Sequence, residues 1–145
     1  MLPIENNKSI NVLEPSFGSG EFLSYFHKYF SESNIYGFEL DRELFNIVNK
    51  NNNTLYNEDY LKSDKGIKFD YIIGNPPYFE MPSNTIPKGY EEVLKGRVNI
   101  YSLFIKKSID ILRDKGILSF IIPISILSGE YFSKIRKYII IKTGI

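Results

Sequence analysis

The stretch Ser9-Ile10-Asn11-Val12-Leu13-Glu14-Pro15-Ser16-Phe17-Gly18-Ser19-Gly20 runs straight into Glu21–Phe30. Its first part, Ser9–Leu13, is a short β-branched apolar run that reads as a strand. Its last part places apolar or aromatic residues at 22, 23, 25, 26, 29 and 30, a helical spacing. Between them Glu14–Gly20 is a strand-to-helix turn with two glycines, which tolerate positive φ and let backbone approach a ligand. In an open α/β sheet such a turn lies at the carboxyl ends of the strands, where ligands bind.

The rhythm continues outward from this unit. Asn34–Leu40 reads as a second strand, and Asp41–Lys50 as a helix with Asp41 as N-cap. Asn49–Asn53 closes that helix with a turn. Thr54–Tyr56 and Phe69–Ile73 read as the third and fourth strands. Asn99–Arg113 is the strongest helix: Ile100, Leu103, Phe104, Lys107, Ile111 and Leu112 recur at three to four residues, and Gly116 stops it. Ile117–Ile122 is a continuous apolar run, as expected of a strand buried on both faces. Ser128–Tyr138 reads as a last helix. Alternation of strand and helix predicts an α/β fold with a doubly wound, mostly parallel sheet. Phe79–Val98 breaks the pattern with two prolines, two glycines and few apolar residues. Its position after the fourth strand makes it a substrate-side loop.

Composition bounds the chemistry. The chain has 145 residues, 18 Lys+Arg against 17 Asp+Glu, no cysteine and one histidine. That length suits one domain with a core of its own. Without cysteine there is no disulfide scaffold and no thiolate zinc site. His27 alone makes no histidine metal centre, so no metal is expected. A net charge of +1 excludes a strongly basic nucleic-acid clamp but leaves room for a modest positive patch. No apolar stretch approaches the ~20 residues of a membrane span, and Met1–Ile10 lacks the pattern of a signal peptide. A cytoplasmic protein is expected, in the host's cytoplasm if the source is viral. There is no alanine, and Ile, Asn and Lys dominate, the mark of an AT-rich coding sequence. His27 reads as a surface residue, and Tyr25, Phe26, Tyr29 and Phe30 as core packing.

Two features carry the candidate chemistry. The first is the Gly turn with Glu39, which lies 19 positions after Gly20 at the end of the second strand. That is near the ~20-residue spacing at which an acid meets ribose hydroxyls. Leu23 stands where a dinucleotide fingerprint has its third glycine, and the P-loop lysine pattern is absent, so a pyrophosphate site is disfavoured. Read alone, the turn also suits a purely structural bend, and Glu39 a surface acid. The second feature is Asn75-Pro76-Pro77-Tyr78. Two prolines after a strand stiffen the backbone and remove two N–H donors. The Asn75 side-chain oxygen and the Pro76 carbonyl remain as acceptors, a match for an exocyclic –NH2. Accepting both of its N–H bonds turns the nitrogen lone pair out of ring conjugation and makes it nucleophilic. Tyr78 offers a face for stacking a flat ring. The alternative is a Pro-rich turn that merely ends a strand.

Glu14–Leu23 (EPSFGSGEFL) resembles motif I of S-adenosylmethionine-dependent adenine-N6 DNA methyltransferases, and Asn75–Tyr78 matches their N-P-P-Y motif. Arg97–Pro123 is similar to the helix and fifth strand that follow it, so the resemblance runs from about residue 10 to 138. It implies a Rossmann-like class I methyltransferase with helices on both faces of the sheet, using S-adenosylmethionine and no metal. It assigns catalysis to Asn75, Pro76, Pro77 and Tyr78. Cofactor binding falls to Glu14, Pro15, Ser16, Phe17, Gly18 and Gly20 in the turn, to Glu39 and Leu40, and to Asp59 and Tyr60 of NEDYL. The partner implied is DNA, with an adenine flipped out of the duplex, in a restriction-modification setting. N-P-P-Y also occurs in methyltransferases acting on protein glutamine or on an RNA base, and an inactive cofactor-binding module would carry the same motifs; those readings stay open. The family's sheet has seven strands and five are legible. Residues 1–145 are therefore expected to form one catalytic domain lacking its last strands and its target-recognition region, which leaves room for a second chain to supply recognition. The segment that closes over the cofactor in this family is expected to be at most Met1–Lys8.

Overall fold

The computed structural model describes residues 9–30, 32–48 and 53–144. In chain order the elements are β1 (Asn11–Glu14), α1 (Glu21–Tyr29), β2 (Asn34–Phe38), α2 (Arg42–Ile47), β3 (Thr54–Tyr56), β4 (Phe69–Gly74), β5 (Glu80–Met81), β6 (Val98–Asn99), α3 (Ile100–Ile111), β7 (Leu112–Phe120) and α4 (Ser133–Thr143). Five strands form one sheet in the order β3-β2-β1-β4-β7, and every pairing in it is parallel.

Successive strand residues point to opposite faces, and the packing follows that rule. Val12 and Tyr71 pack with Leu23, Phe26 and Phe30 on the α1 side. Their neighbours Leu13 and Ile72 pack with Leu103, Phe104, Ile135 and Tyr138 on the α3 and α4 side. Both faces are thus covered by helices, as the alternating sequence predicts. Each such buried side chain contributes about 1.5–3 kcal/mol relative to exposure. Asp41 caps α2 as expected, its carboxylate accepting from the N–H groups of Glu43 (2.8 Å) and Leu44 (3.1 Å).

Several expectations change. The Ile117–Ile122 run is not buried on both faces: β7 lies at the edge of the described sheet, its residues are half-covered or exposed, and Ile121 is exposed. Apolar content reported a strand but not its place in the sheet. Of the four α1 aromatics, Phe26 and Phe30 are buried, whereas Tyr25 and Tyr29 face solvent. A helix turned by 100° per residue cannot aim all four inward. His27 is half-buried rather than on the surface, with a covered Nε2 that has no partner among the described residues. Gly116 does not stop α3, which ends at Ile111; the left-handed residue nearby is Lys115 (φ 61°). Gly116 serves packing instead, since a Cβ there would stand 2.7 Å from Leu112 Cγ and 2.9 Å from the Arg113 carbonyl oxygen. Residues between Leu112 and Ile117 bulge out of register with β4. The last helix starts later than the pattern suggests, after short 3-10 turns at Ile124–Leu127 and Glu130–Phe132. Of the turn expected at Asn49–Asn53, all but Asn53 lies outside the described residues, as does the segment Met1–Lys8.

Candidate active site

The carboxyl ends of β1, β2, β3 and β4 meet at one cleft of about 440 Å³. Pro15 and Ser16 from the first turn, Glu39 and Leu40 after β2, Asp59 and Tyr60 after β3, and Asn75 and Pro77 after β4 all line it. Eight of the residues singled out in the sequence therefore converge on one space.

The glycine turn is held from three sides. The Phe17 N–H donates to the Phe38 carbonyl (3.0 Å), and the Gly20 N–H to the Phe17 carbonyl (2.7 Å). Gly18 and Gly20 adopt left-handed φ angles of 52° and 81°. The Phe17 ring is buried away from the cleft, against Gly37 and near Phe45. Phe17 is therefore an anchor of the turn, and Ser16 presents its edge to the cleft.

Glu39 ties this turn to the next. One carboxylate oxygen accepts from the Gly18 N–H (2.8 Å) and the other from the Asp41 N–H (2.7 Å). Each oxygen keeps a further lone pair, so the acid can still accept from ligand hydroxyls. Asn57, which sequence reading passes over, fixes the same corner by donating to the carbonyls of Glu39 (2.8 Å) and Leu40 (3.2 Å). Asp59 caps its own turn through the Leu61 N–H (3.0 Å) and pairs with Lys62 (3.2 Å). Tyr60 is buried, with its hydroxyl 2.9 Å from Ser108 Oγ, and burial pushes that phenol well above its usual range.

Glu14 lies beneath the cleft rather than in it. Glu14 is 2% exposed, and among the described residues Oε2 has no hydrogen-bond partner. Burial pushes its pKa up to about 9, with the charges of Glu39 and Glu21 adding to the rise and the Leu23 N–H opposing it.

The Asn75-Pro76-Pro77-Tyr78 segment begins where β4 ends. Pro76 is fully buried and Asn75 is exposed. Ser16 Oγ lies 3.4 Å from the Asn75 carbonyl oxygen, and a Cβ at Gly74 would stand 3.2 Å from Pro15 Cδ. The two motifs, 59 residues apart, are thus in direct contact. The Tyr78 hydroxyl donates to the Asn75 side-chain oxygen and also lies 2.6 Å from the Ile121 carbonyl oxygen. Its ring stands edge-on to Tyr101 and is 45% exposed. The loop after it is pinned by the β5–β6 ladder and by the Ile100 N–H on the Phe79 carbonyl (2.9 Å). Phe79, Met81, Thr85 and Pro87 from this loop complete the cleft wall, with Ile100 and Phe104 of α3. Among the described residues no group of three or more His, Cys, Asp or Glu side chains could hold a metal ion, and no helix is long and apolar enough to cross a membrane.

Residues 19–145 match the model of the Eco57I restriction-modification methylase family. The modification methylase CviBIII of Paramecium bursaria Chlorella virus NC1A is 41% identical over 94% of this chain and 37% of its own length. The type II methyltransferase M.TthHB8I of Thermus thermophilus is 32% identical over 93% of this chain and 34% of its own. The chain spans about a third of the length of these relatives. Among solved structures, a class I S-adenosylmethionine-dependent methyltransferase of Listeria monocytogenes superposes with a TM-score of 0.80, at 20% identity, over 93% of this chain and 46% of its own. The fold is that of the class I methyltransferases. The chain belongs to the Eco57I restriction-modification methylase family.

Proposed function

We propose that the chain carries the methyl-transfer centre of an adenine-N6 DNA methyltransferase that uses S-adenosylmethionine. The observation that carries this reading is the contact between the glycine turn and Asn75-Pro76-Pro77-Tyr78 at the mouth of one cleft.

The residues of the cleft fit that cofactor. Glu39 accepts from ribose hydroxyls, Asp59 takes the adenine end, and the turn from Pro15 to Gly20 receives the amino-acid end. The cofactor carries no phosphate, which agrees with a turn that has no lysine. When bound, S-adenosylmethionine supplies an electrophilic methyl group on a sulfonium.

The acceptor side is built from acceptors. Asn75 Oδ1 and the Pro76 carbonyl take the two N–H bonds of an amino group. Proline has no N–H to compete with that group. The paired bonds fix the nitrogen with its lone pair out of the ring plane, aimed toward the cleft. The half-exposed Tyr78 ring stacks on the base. Positioning of this kind accounts for a large share of rate in a bimolecular transfer. The base reaches the site by leaving the duplex, and target recognition falls to polypeptide beyond these residues or to a second chain.

Tritiated S-adenosylmethionine, offered with DNA, RNA and protein, tests the reading. Label is expected in adenine of DNA, and Asn75→Ala is expected to abolish it while cofactor binding persists. Label in protein or RNA would replace the substrate class. Cofactor binding with no transfer to any acceptor would leave a binding module only.

A further inference from the structure

We infer that Lys107 of α3 is a positioning residue for the cleft, holding the Asp59–Ser63 turn from behind. The inference rests on the reading of that cleft as the cofactor's.

Lys107 stands out in the sequence as a cation on the apolar stripe of α3, in step with Ile100, Leu103, Phe104 and Ile111. Lys107 is half-buried, and an ammonium drawn partly out of water demands partners. Its Nζ donates to the carbonyls of Tyr60 and Ser63 and lies 4.8 Å from the centre of the Tyr60 ring. Burial lowers its pKa, while the charges of Asp64 and Asp59 raise it. The segment between β3 and β4 contains no helix, so side chains must hold it. Tyr90 takes the carbonyl lying between those two, its hydroxyl donating to Leu61 (3.0 Å). The next α3 residue, Ser108, meets the Tyr60 hydroxyl.

The same turn has two sides. Its front, with Asp59, lines the cleft, and Tyr60, Leu61 and Lys62 border the spaces on both sides. Its back lines a second cavity of about 350 Å³, into which Lys107 projects from α3. Carbonyls of residues 60, 61 and 63 are all tied to side chains on that rear side. Inside the turn, the Lys62 and Ser63 N–H groups donate to the Asp59 carbonyl. Release of the rear bonds frees the turn and, with it, the carboxylate of Asp59.

Hydrogen exchange and cofactor titration of the chain test this with Lys107→Met, Lys107→Arg and Tyr90→Phe. In the cofactor-free chain, Lys107→Met is expected to speed exchange of the 61–63 amides by about tenfold or more, the value of a charge-assisted hydrogen bond. Amides of β1 and β4 should not change. S-adenosylmethionine affinity should fall by a similar factor, and Lys107→Arg, which still donates to two carbonyls, should restore both. Tyr90→Phe should move both in the same direction by less. Unchanged exchange in Lys107→Met, or faster exchange with unchanged affinity, would overturn the role. If Lys107→Met does not fold, Tyr90→Phe decides: wild-type exchange and affinity there would overturn it. If the wild-type chain binds no cofactor, the cleft's assignment fails, while exchange still decides whether Lys107 holds the turn.

Discussion

The Tyr78 hydroxyl donates to the side-chain oxygen of Asn75, three residues before it, with the Ile121 carbonyl oxygen also within 2.6 Å. A phenol has one proton, so it bonds one of these acceptors at a time. The bond links the acceptor oxygen of the N-P-P-Y segment to the ring expected to stack on the base, and both lie beside the end of β7.

The two parts of Tyr78 can be separated. An exposed neutral hydrogen bond is worth about 0.5–1.5 kcal/mol, so Tyr78→Phe should keep methyl transfer within about tenfold of wild type. Base–aromatic stacking is worth about 1–3 kcal/mol, so Tyr78→Ala should raise the KM for DNA by roughly 5- to 150-fold. Steady-state transfer of labelled methyl to an oligonucleotide measures both. Equal losses in the two variants would show that the hydroxyl, rather than the ring, matters.

Gly37 exists for Phe17. Its φ is ordinary, yet a Cβ there would stand 2.7 Å from Phe17 Cδ1 and 2.9 Å from Leu55 Cδ2. Gly37→Ala must push the Phe17 ring, and with it the glycine turn. Overpacking of this kind costs about 1–3 kcal/mol. Urea denaturation should report that loss, and cofactor titration should show weaker binding. Wild-type stability in the variant would mean that Phe17 yields freely and does not anchor the turn.

Gly37 also marks the boundary of what the sequence makes legible. The strand and helix rhythm, the Asp41 cap and the two motifs are local, written in residues that neighbour one another. The convergence of Pro15, Glu39, Asp59 and Asn75 followed because parallel strands bring all their carboxyl ends to one side. Contacts between distant segments left no such mark. Asn57 ties down the Glu39 and Leu40 carbonyls just after β2 through a side chain no periodicity distinguishes. The cleft wall from Phe79 to Pro87 lies in a stretch whose two-residue strands are too short to read. The edge position of β7 depends on strand order, to which an apolar run is blind. Lys107 did leave a trace, as a charge out of place on an apolar stripe.

Glu39 accepts two backbone N–H groups, one on each oxygen. Glu39→Gln replaces one acceptor by an amide –NH2, which meets an N–H donor head-on whichever way the amide turns. Either the Gly18 or the Asp41 contact is lost, and the remaining oxygen can take fewer ligand hydroxyls. S-adenosylmethionine affinity should drop by about tenfold or more, as for loss of a hydrogen bond to a charged group. Calorimetric titration of the variant checks it. Wild-type affinity would remove Glu39 from the cofactor site.

Glu14 should make stability depend on pH with an unusual sign for an acid. Burial holds its carboxyl up at about 9, against 4.5 for a free glutamate. Between those values the folded chain keeps a proton there that the unfolded chain has lost. The proton-linked contribution is therefore complete below pH 4.5 and lost as pH rises toward 9. The slope approaches about 1.4 kcal/mol per pH unit within that window. Glu14→Gln keeps the size of the side chain and cannot ionise. It should be less stable than wild type at pH 5, where its extra N–H is buried without a partner, at a cost of about 1–3 kcal/mol. As pH climbs, wild type should lose stability faster, and the gap should close or reverse. Urea midpoints of both chains at pH 5, 7 and 9 provide the comparison. Parallel curves would mean that Glu14 is ionised throughout, with a cation or water meeting Oε2.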